Sequence, residues 1–306
     1  MIAMIMISAA LAGVSQVPPP VVEETNLQVV AGGVAPAEDP LVKPMAVERA
    51  KTWLAPQPPE RIFGKTWLVG FKGMSVAMID TVDGLVLIDG ALPQAAPAIL
   101  ANIRAAGFDP GDIKYILSTE PHFDHAGGLA ALARDTGATV VASARGGAGL
   151  RAGVLAADDP QLAYGGTWPA VTTRVRVVKN GEVLDLGDTR ITAHATPGHT
   201  MGSMSWSWDA CEGKVCKQIV FGASLNPVSA DGYRYTSAAG KPFVAGFGKS
   251  YRIMDALKCD VLISAHPDNA GEGRFNDKPG ACRAYAERSR AMLAKRLAAE
   301  KAGAAK

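Results

Sequence analysis

Glu120, His122, Asp124 and His125 stand within a run of six residues, inside the stretch Leu117-Ser118-Thr119-Glu120-Pro121-His122-Phe123-Asp124-His125-Ala126-Gly127-Gly128. Two carboxylates and two imidazoles gathered this closely are costly to dehydrate unless a cation compensates them, so the set reads as metal ligands. The chain has 5 histidines: His122, His125, His194, His199 and His266. His122, His199 and His266 sit on loops that follow strand-like segments, in Glu-Pro-His, Pro-Gly-His-Thr and Ala-His-Pro contexts. Loops after strands are where a β scaffold presents ligands from several strands to one point. With Glu120, Asp124 and His125 these make six candidate ligands, enough for two metal ions that each keep a position open for water. Three protein ligands per ion is the arrangement of catalytic zinc, whereas structural sites are closed by four. His194 lies inside a strand-like segment and reads as hydrogen-bonded structure, not as a ligand.

The elements that must position these groups follow from hydrophobic period and turn residues. A strand over 113–117 delivers the ligand stretch, and a helix is expected from near Ala126. Upstream, 66–71, 75–80 and 85–89 read as successive strands, and Ile99, Leu100 and Ile103 have helical spacing with Gly107 at the cap. Downstream come a helix through Leu129 and Leu132, a strand over 138–142, and an irregular Gly- and Ala-rich segment over 145–168 that reads either as a binding wall or as a surface loop without function. Val175 and Val177 resume an alternation that Asn180-Gly181 turns as a tight hairpin into strands over 183–186 and 191–194. A strand pair over 203–208 and 218–221, a strand over 261–264 and an amphipathic helix over 281–301 complete the chain. Strands in two runs, each followed by helices, predict an α+β fold: an αββα sandwich of two sheets packed face to face with helices outside.

Composition and termini set the compartment. The chain has 306 residues, of which 48% are hydrophobic and 20% charged, which suits a globular protein with a sizeable core. A net charge of +2 gives no support for a nucleic-acid or membrane-surface partner. Residues 1–13 are apolar and end in small residues, too short for the ~20 residues of a membrane span, and 1–16 read as a signal peptide. Residues 17–60 form a lead segment with one short helix near 47–54, and 61–306 a single domain. Four cysteines fit an exported, periplasmic protein. Cys211 with Cys216, across a hairpin tip, and Cys259 with Cys282, around His266, have spacings that suit local disulfides. Structural zinc is the competing reading, and the CxxC spacing it favours is absent.

The stretch from Glu120 to Gly128 is similar to the HxHxDHxGG signature of the metallo-β-lactamase superfamily, and Ile88-Asp89-Gly90, Thr196-Pro197-Gly198-His199-Thr200 and Ala265-His266-Pro267 extend the match over roughly residues 62 to 300. Export, Cys259 and Cys282, and Gly198-His199-Thr200-Met201-Gly202-Ser203 leading into Trp206 resemble subclass B3 in particular. So does the lack of a bridging Asp in Phe221-Gly222-Ala223-Ser224-Leu225-Asn226. The resemblance implies a β-lactamase that hydrolyses penicillins, cephalosporins and carbapenems through a zinc-bound hydroxide. Two Zn2+ ions per chain are implied, the first on Glu120, His122 and His199 and the second on Asp124, His125 and His266, with Asp124 orienting the nucleophile.

Ser224 and Asn226 match positions that hold the substrate carboxylate, and Tyr164, Trp168 and Tyr233 are candidate apolar contacts. A monomer acting on a small molecule, with no nucleic acid and no membrane after signal removal, is expected. A zinc hydrolase of the same fold acting on a lactone or thioester, or a zinc-binding protein without turnover, remain alternatives. The departure from the signature is Glu120 in place of its first histidine. Carboxylate is a harder ligand than imidazole and adds negative charge, so weaker retention of the first zinc and a less acidic bound water are expected.

Overall fold

The computed structural model describes residues 39–271 and 273–303, so the expected signal peptide and the lead segment up to residue 38 lie outside the described residues. Helix α1 (Val47–Trp53) precedes an antiparallel meander of β1 (Glu60–Phe63), β2 (Thr66–Leu68), β3 (Ala77–Thr81) and β4 (Gly84–Ile88). Helix α2 (Ala96–Ala105) then crosses to β5 (Ile113–Leu117), which pairs parallel to β4. A four-residue turn of helix, α3 (Phe123–Ala126), leads into α4 (Leu129–Thr136) and on to β6 (Thr139–Ala142). Helix α5 (Ala144–Ala152) connects to β7 (Val175–Val177), the last strand of this seven-stranded sheet.

The second sheet has five strands: β8 (Val183–Asp185), β9 (Arg190–Ala195), β10 (Met204–Glu212) and β11 (Val215–Gly222) run antiparallel, and β12 (Val261–Ser264) joins β11 in parallel. Helix α6 (Lys241–Ala256), the short α7 (Pro267–Ala270) and α8 (Ala281–Lys301) follow on its outer side. The expected αββα sandwich is what forms. Its parallel strands are buried on both faces, which is why 85–88 reads as an unbroken apolar run: Leu85 and Leu87 face the α2 and α4 side, Val86 and Ile88 face the other sheet. Between the sheets, Trp206, Trp208, Ile219, Phe221 and Ile263 meet Leu68, Ile88 and Leu117. A third apolar layer holds α6 and α8 on the second sheet through Phe247, Met254, Cys282 and Tyr285.

Three expectations need correction. The helix after the ligand stretch starts at Phe123, so Asp124 and His125 are helical and His122 is its N-cap. The segment 145–168 is not irregular throughout, because α5 occupies its first part with Ser143 as N-cap, its Oγ accepting from Gly146 N at 2.9 Å. The glycines that hid this helix serve close packing: a Cβ on Gly149 would sit 2.8 Å from Pro121, beside the ligands. Asn180-Gly181 does reverse the chain, with Gly181 at φ +79°, but β7 and β8 belong to different sheets. The turn is held by β9, through Ala195 N on Asn180 Oδ1 and Gly181 N on Ala193 O, and so carries the chain between sheets.

Both disulfides form, Cys211–Cys216 and Cys259–Cys282. The first joins residues already paired across the β10–β11 hairpin, whereas the second, with a separation of 23 residues, staples the start of β12 to α8. Replacing Cys259 and Cys282 together by serine is expected to cost about 3 kcal/mol by loop-closure entropy. Urea unfolding of the two double variants side by side checks this, with the Cys211/Cys216 replacement expected to be the milder.

Candidate metal centre

The six ligand candidates converge at the carboxyl ends of β5, β9 and β12, in a cleft at one edge of the sandwich. This is where α/β sheets place their sites, because the loops after parallel strands open to one side. Their atoms fall into two groups, Glu120 with His122 and His199, and Asp124 with His125 and His266, and within each group the ligand atoms all lie within 4.8 Å of one another. All are buried except His266, which is half-buried.

The loop after β5 is held from below by Asp89, at the end of β4. Its carboxylate accepts from Thr119 N at 2.7 Å and Thr119 Oγ1 at 2.6 Å. Asp89 sits at φ +65°, a left-handed conformation that aspartate tolerates better than most residues, and this turns its side chain under the loop. The loop then crosses so close to the β4 end that a Cβ on Gly128 would stand 2.2 Å from Gly90 O; only glycine fits there. On the second sheet, His199 is presented by the turn after β9, which Thr200 and Ser203 close through their hydroxyls at 2.9 Å. Met204 N on Thr119 O at 2.7 Å locks that turn to the β5 loop. His266 is the N-cap of α7, directly after β12.

Two of the imidazoles are hydrogen-bonded on the nitrogen that faces away from their group, and a third has a carboxylate beside that nitrogen. His199 Nδ1 donates to Asn226 O at 2.8 Å, which leaves the Nε2 lone pair for a ligand. His122 Nε2 lies 3.1 Å from Asp159 Oδ2, a pure acceptor, which frees Nδ1. His125 Nδ1 lies 3.3 Å from Asp89 Oδ2 while its Nε2 lies 3.0 Å from Glu120 Oε1. Glu120 accepts from Ser224 N at 3.2 Å and Ser203 Oγ at 3.4 Å on Oε2 alone. Its Oε1 makes no hydrogen bond and stands 3.0 Å from His125 Nε2 and 3.8 Å from His199 Nε2. A buried, unbonded carboxylate oxygen among imidazole nitrogens fits a divalent metal ion, and the mixed N and O donors fit zinc.

The electrostatics point the same way. Burial disfavours charge on Glu120, yet His125, His199 and His122 overcome it and hold its carboxyl down at about 2. Asp124 is likewise held ionised against burial by His125 and His266. Against the same burial, Asp124, Glu120 and Asp89 push His125 up to about 10. Carboxylates and imidazoles therefore neutralise one another here in place of a cation, and a cation that enters must displace protons.

The cleft above the ligands encloses about 230 Å³. Ser224 and Asn226 line it, as expected, but Tyr164, Trp168 and Tyr233 do not. Tyr164 is exposed and donates to Ser229 O, Trp168 is buried in the apolar layer under the first sheet, and Tyr233 packs edge-on to Tyr235 and Phe243. Aromatic rings bury area wherever a loop folds back, and residue type alone does not tell which side they face. His194 stays outside the site, with Nε2 2.8 Å from Ser207 Oγ.

The residues that sequence reasoning missed come from the lead helix and the α5–β7 loop. Trp53 on α1 places its ring 5.6 Å from His266 and 6.3 Å from Phe123, and the Arg49 guanidinium lies over the Trp53 ring at 5.3 Å. Gln161 Nε2 lies 3.1 Å from His199 Nε2 and 3.5 Å from His122 Nδ1. The stretch 145–168 pointed to Gln161 and Asp159 only as a segment; no spacing marked the residues.

A model of the metallo-beta-lactamase superfamily matches residues 69–216. A hydroxyacylglutathione hydrolase of Anaeromyxobacter dehalogenans (strain 2CP-C) is 34% identical over 123 residues, which are 40% of this chain and 37% of that protein. One of Rhodopseudomonas palustris (strain BisB18) is 33% identical over 117 residues, 38% of this chain and 36% of that protein. The chain thus spans little over a third of the curated relatives it matches. Among solved structures, one described as the first B3 metallo-beta-lactamase with an active site glutamic acid is 72% identical with a TM-score of 0.85, covering 86% of this chain and 99% of that one. Rm3 metallo-beta-lactamase is 40% identical with a TM-score of 0.79, over 84% of this chain and 100% of that one. MEM-A1, a subclass B3 metallo-beta-lactamase from a soil metagenome library, is 42% identical with a TM-score of 0.78, over 82% and 99%.

Metal uptake at the second group requires His125 to lose a proton. Below its ordinary value of 6.5, the raised pKa of His125 contributes its full stabilisation to the metal-free protein, and this is lost as pH rises through about 10. Glu120 contributes above its ordinary 4.5, and this is lost as pH falls toward 2. The chelated protein is therefore expected to be most stable between these ordinary values, and metal affinity to rise with pH up to about 10. Calorimetric zinc titration at pH 7 in buffers of different ionisation enthalpy is expected to show about one proton released per second-group ion.

Proposed function

Because the chain belongs to the metallo-beta-lactamase superfamily, we propose that it is a zinc-dependent β-lactamase of subclass B3 that opens the β-lactam amide of penicillins, cephalosporins and carbapenems. The observation that carries this reading is the pair of three-residue ligand groups at the floor of one cleft, in a chain 72% identical to a B3 enzyme described by an active site glutamic acid. Glu120, His122 and His199 hold the first ion, and Asp124, His125 and His266 the second. Two zinc ions, when bound, supply Lewis acidity toward the lactam carbonyl and a nucleophile available near neutral pH.

The chain's own residues do the rest. Asp124 Oδ2, kept ionised and 3.3 Å from His266 Nε2, accepts a hydrogen bond from the attacking water and orients it toward the carbonyl carbon. Ser224 and Asn226 sit where the substrate carboxylate is held, and the Trp53 and Phe123 rings give the bicyclic substrate an apolar wall. Gln161 narrows the cleft above the first group. Export to the periplasm accords with two disulfides and with the apolar residues 1–13, and no helix among the described residues is long and apolar enough to cross a membrane.

Thioester hydrolysis is the second reading, favoured by the partial likeness to hydroxyacylglutathione hydrolases. Residues 221–226 carry no carboxylate to bridge two ions, and Ser224 N is already engaged by Glu120, which weighs for the β-lactam.

Hydrolysis of a penicillin, a cephalosporin and a carbapenem by the purified protein, followed by absorbance, is expected to depend on added zinc and to vanish with chelator. No turnover at saturating zinc, with thioester cleavage instead, would move the assignment to the second reading. Asp124→Asn is expected to lower kcat by about 10²-fold or more. Glu120→His is expected to tighten the first ion, because the Glu120–His125 ion pair no longer competes, and to shift the acid limb of the pH–rate profile downward. Zinc affinity and pH profile unchanged in that variant would refute the role given to Glu120.

A further inference from the structure

Asp159 stands outside the ligand set, and no motif marks it, yet it is buried beside the first group with both carboxylate oxygens engaged. We propose that Asp159 is a positioning residue for the first metal: it fixes the tautomer and tilt of His122, strengthens it as a donor, and ties the loop carrying Gln161 to that histidine. The inference rests on the reading that Glu120, His122 and His199 bind a metal ion.

The geometry supports each part. The Asp159 side chain is 4% exposed, and its Oδ2 lies 3.1 Å from His122 Nε2. A carboxylate here only accepts, so the proton sits on Nε2, and Nδ1 is left as the lone pair toward the first group. The other oxygen, Oδ1, accepts from Gln161 N at 2.8 Å. One carboxylate therefore sets both a ligand imidazole and the backbone of the residue whose amide reaches His199 and His122.

The same device recurs in the second group, where Asp89 faces His125 Nδ1 at 3.3 Å. Each group thus has one imidazole backed by a carboxylate, an arrangement that raises ligand basicity. In the first group this matters more, because Glu120 has replaced an imidazole with a harder ligand. A more basic His122 offsets that loss. The loop itself is clasped independently of Asp159, by Ala230 N on Pro160 O at 2.9 Å and Tyr164 Oη on Ser229 O at 2.8 Å.

The test is metal affinity, read without turnover. Chelator-treated full-length protein is titrated with zinc against a chromophoric chelator, and with cobalt(II), whose visible absorption reports ligand geometry. Asp159→Ala is expected to weaken one site 10- to 100-fold while the other stays within about threefold, and to alter the cobalt spectrum of the weakened site. Asp159→Asn keeps an acceptor for Nε2 without the charge and is expected to fall between Asp159→Ala and wild type. Tyr164→Phe, which loosens the loop and leaves Asp159 in place, is expected to change neither affinity.

Asp159→Ala with both affinities intact would overturn the proposal. So would Tyr164→Phe reproducing the loss, which would make loop order the cause. Wild-type protein that takes up a single ion, with His122→Ala leaving that affinity unchanged, would instead overturn the ligand assignment and the inference with it.

Discussion

The structure depends on a buried cluster in which four carboxylates, Glu120, Asp124, Asp89 and Asp159, are interleaved with the imidazoles of His122, His125, His199 and His266. Burying this many ionisable groups is unfavourable unless each meets an opposite charge or a donor. The fold meets that condition twice over, through ion pairs within the cluster and through an array of donors around it. Two divalent cations would balance four carboxylates in full. A site balanced in this way would carry no surplus of positive charge, and Glu120 supplies one of the four negative charges.

Rigidity at the site comes from the places where separate elements lock to one another. Asp89 grips Thr119 from β4, Met204 N takes Thr119 O from β10, and Trp206 Nε1 donates to Ser118 O. The ligand loop is thereby fixed by both sheets, so the distance between the two ligand groups is set by sheet packing and not by the loop's own preferences. The unusual backbone of Asp89 and the glycines at 127 and 128 belong to this constraint: they let β4, the ligand loop and α4 approach more closely than side chains would allow.

The cleft walls have a different origin. The segment between α5 and β7 supplies Asp159 and Gln161, and α1 supplies Trp53, so the surroundings of the ligands are built by pieces attached to the sandwich and not by the sandwich itself. Attached loops of this kind can change without disturbing the core that holds the ligands.

Much of this was legible in the sequence. The αββα order followed from two runs of strands with helices after each, and the ligand set from the Glu120–His125 cluster and histidines on loops after strands, because strand period and ligand chemistry are local properties. Helix α5 was hidden by its glycines, which only the approach of Pro121 explains, and Asn180-Gly181 looked like a hairpin because a turn's chemistry is local while its strand partners are not. Tyr164, Trp168 and Tyr233 were indistinguishable in sequence from residues that face the cleft. Asp159, Gln161 and Trp53 had no pattern at all, since their roles depend on contacts with His122, His199 and His266 from distant parts of the chain. The sequence by itself determined which atoms can bind a metal; the tertiary structure decided which of them share an ion, which nitrogen each imidazole offers, and what closes over them, because those depend on the packing of two sheets and three loops.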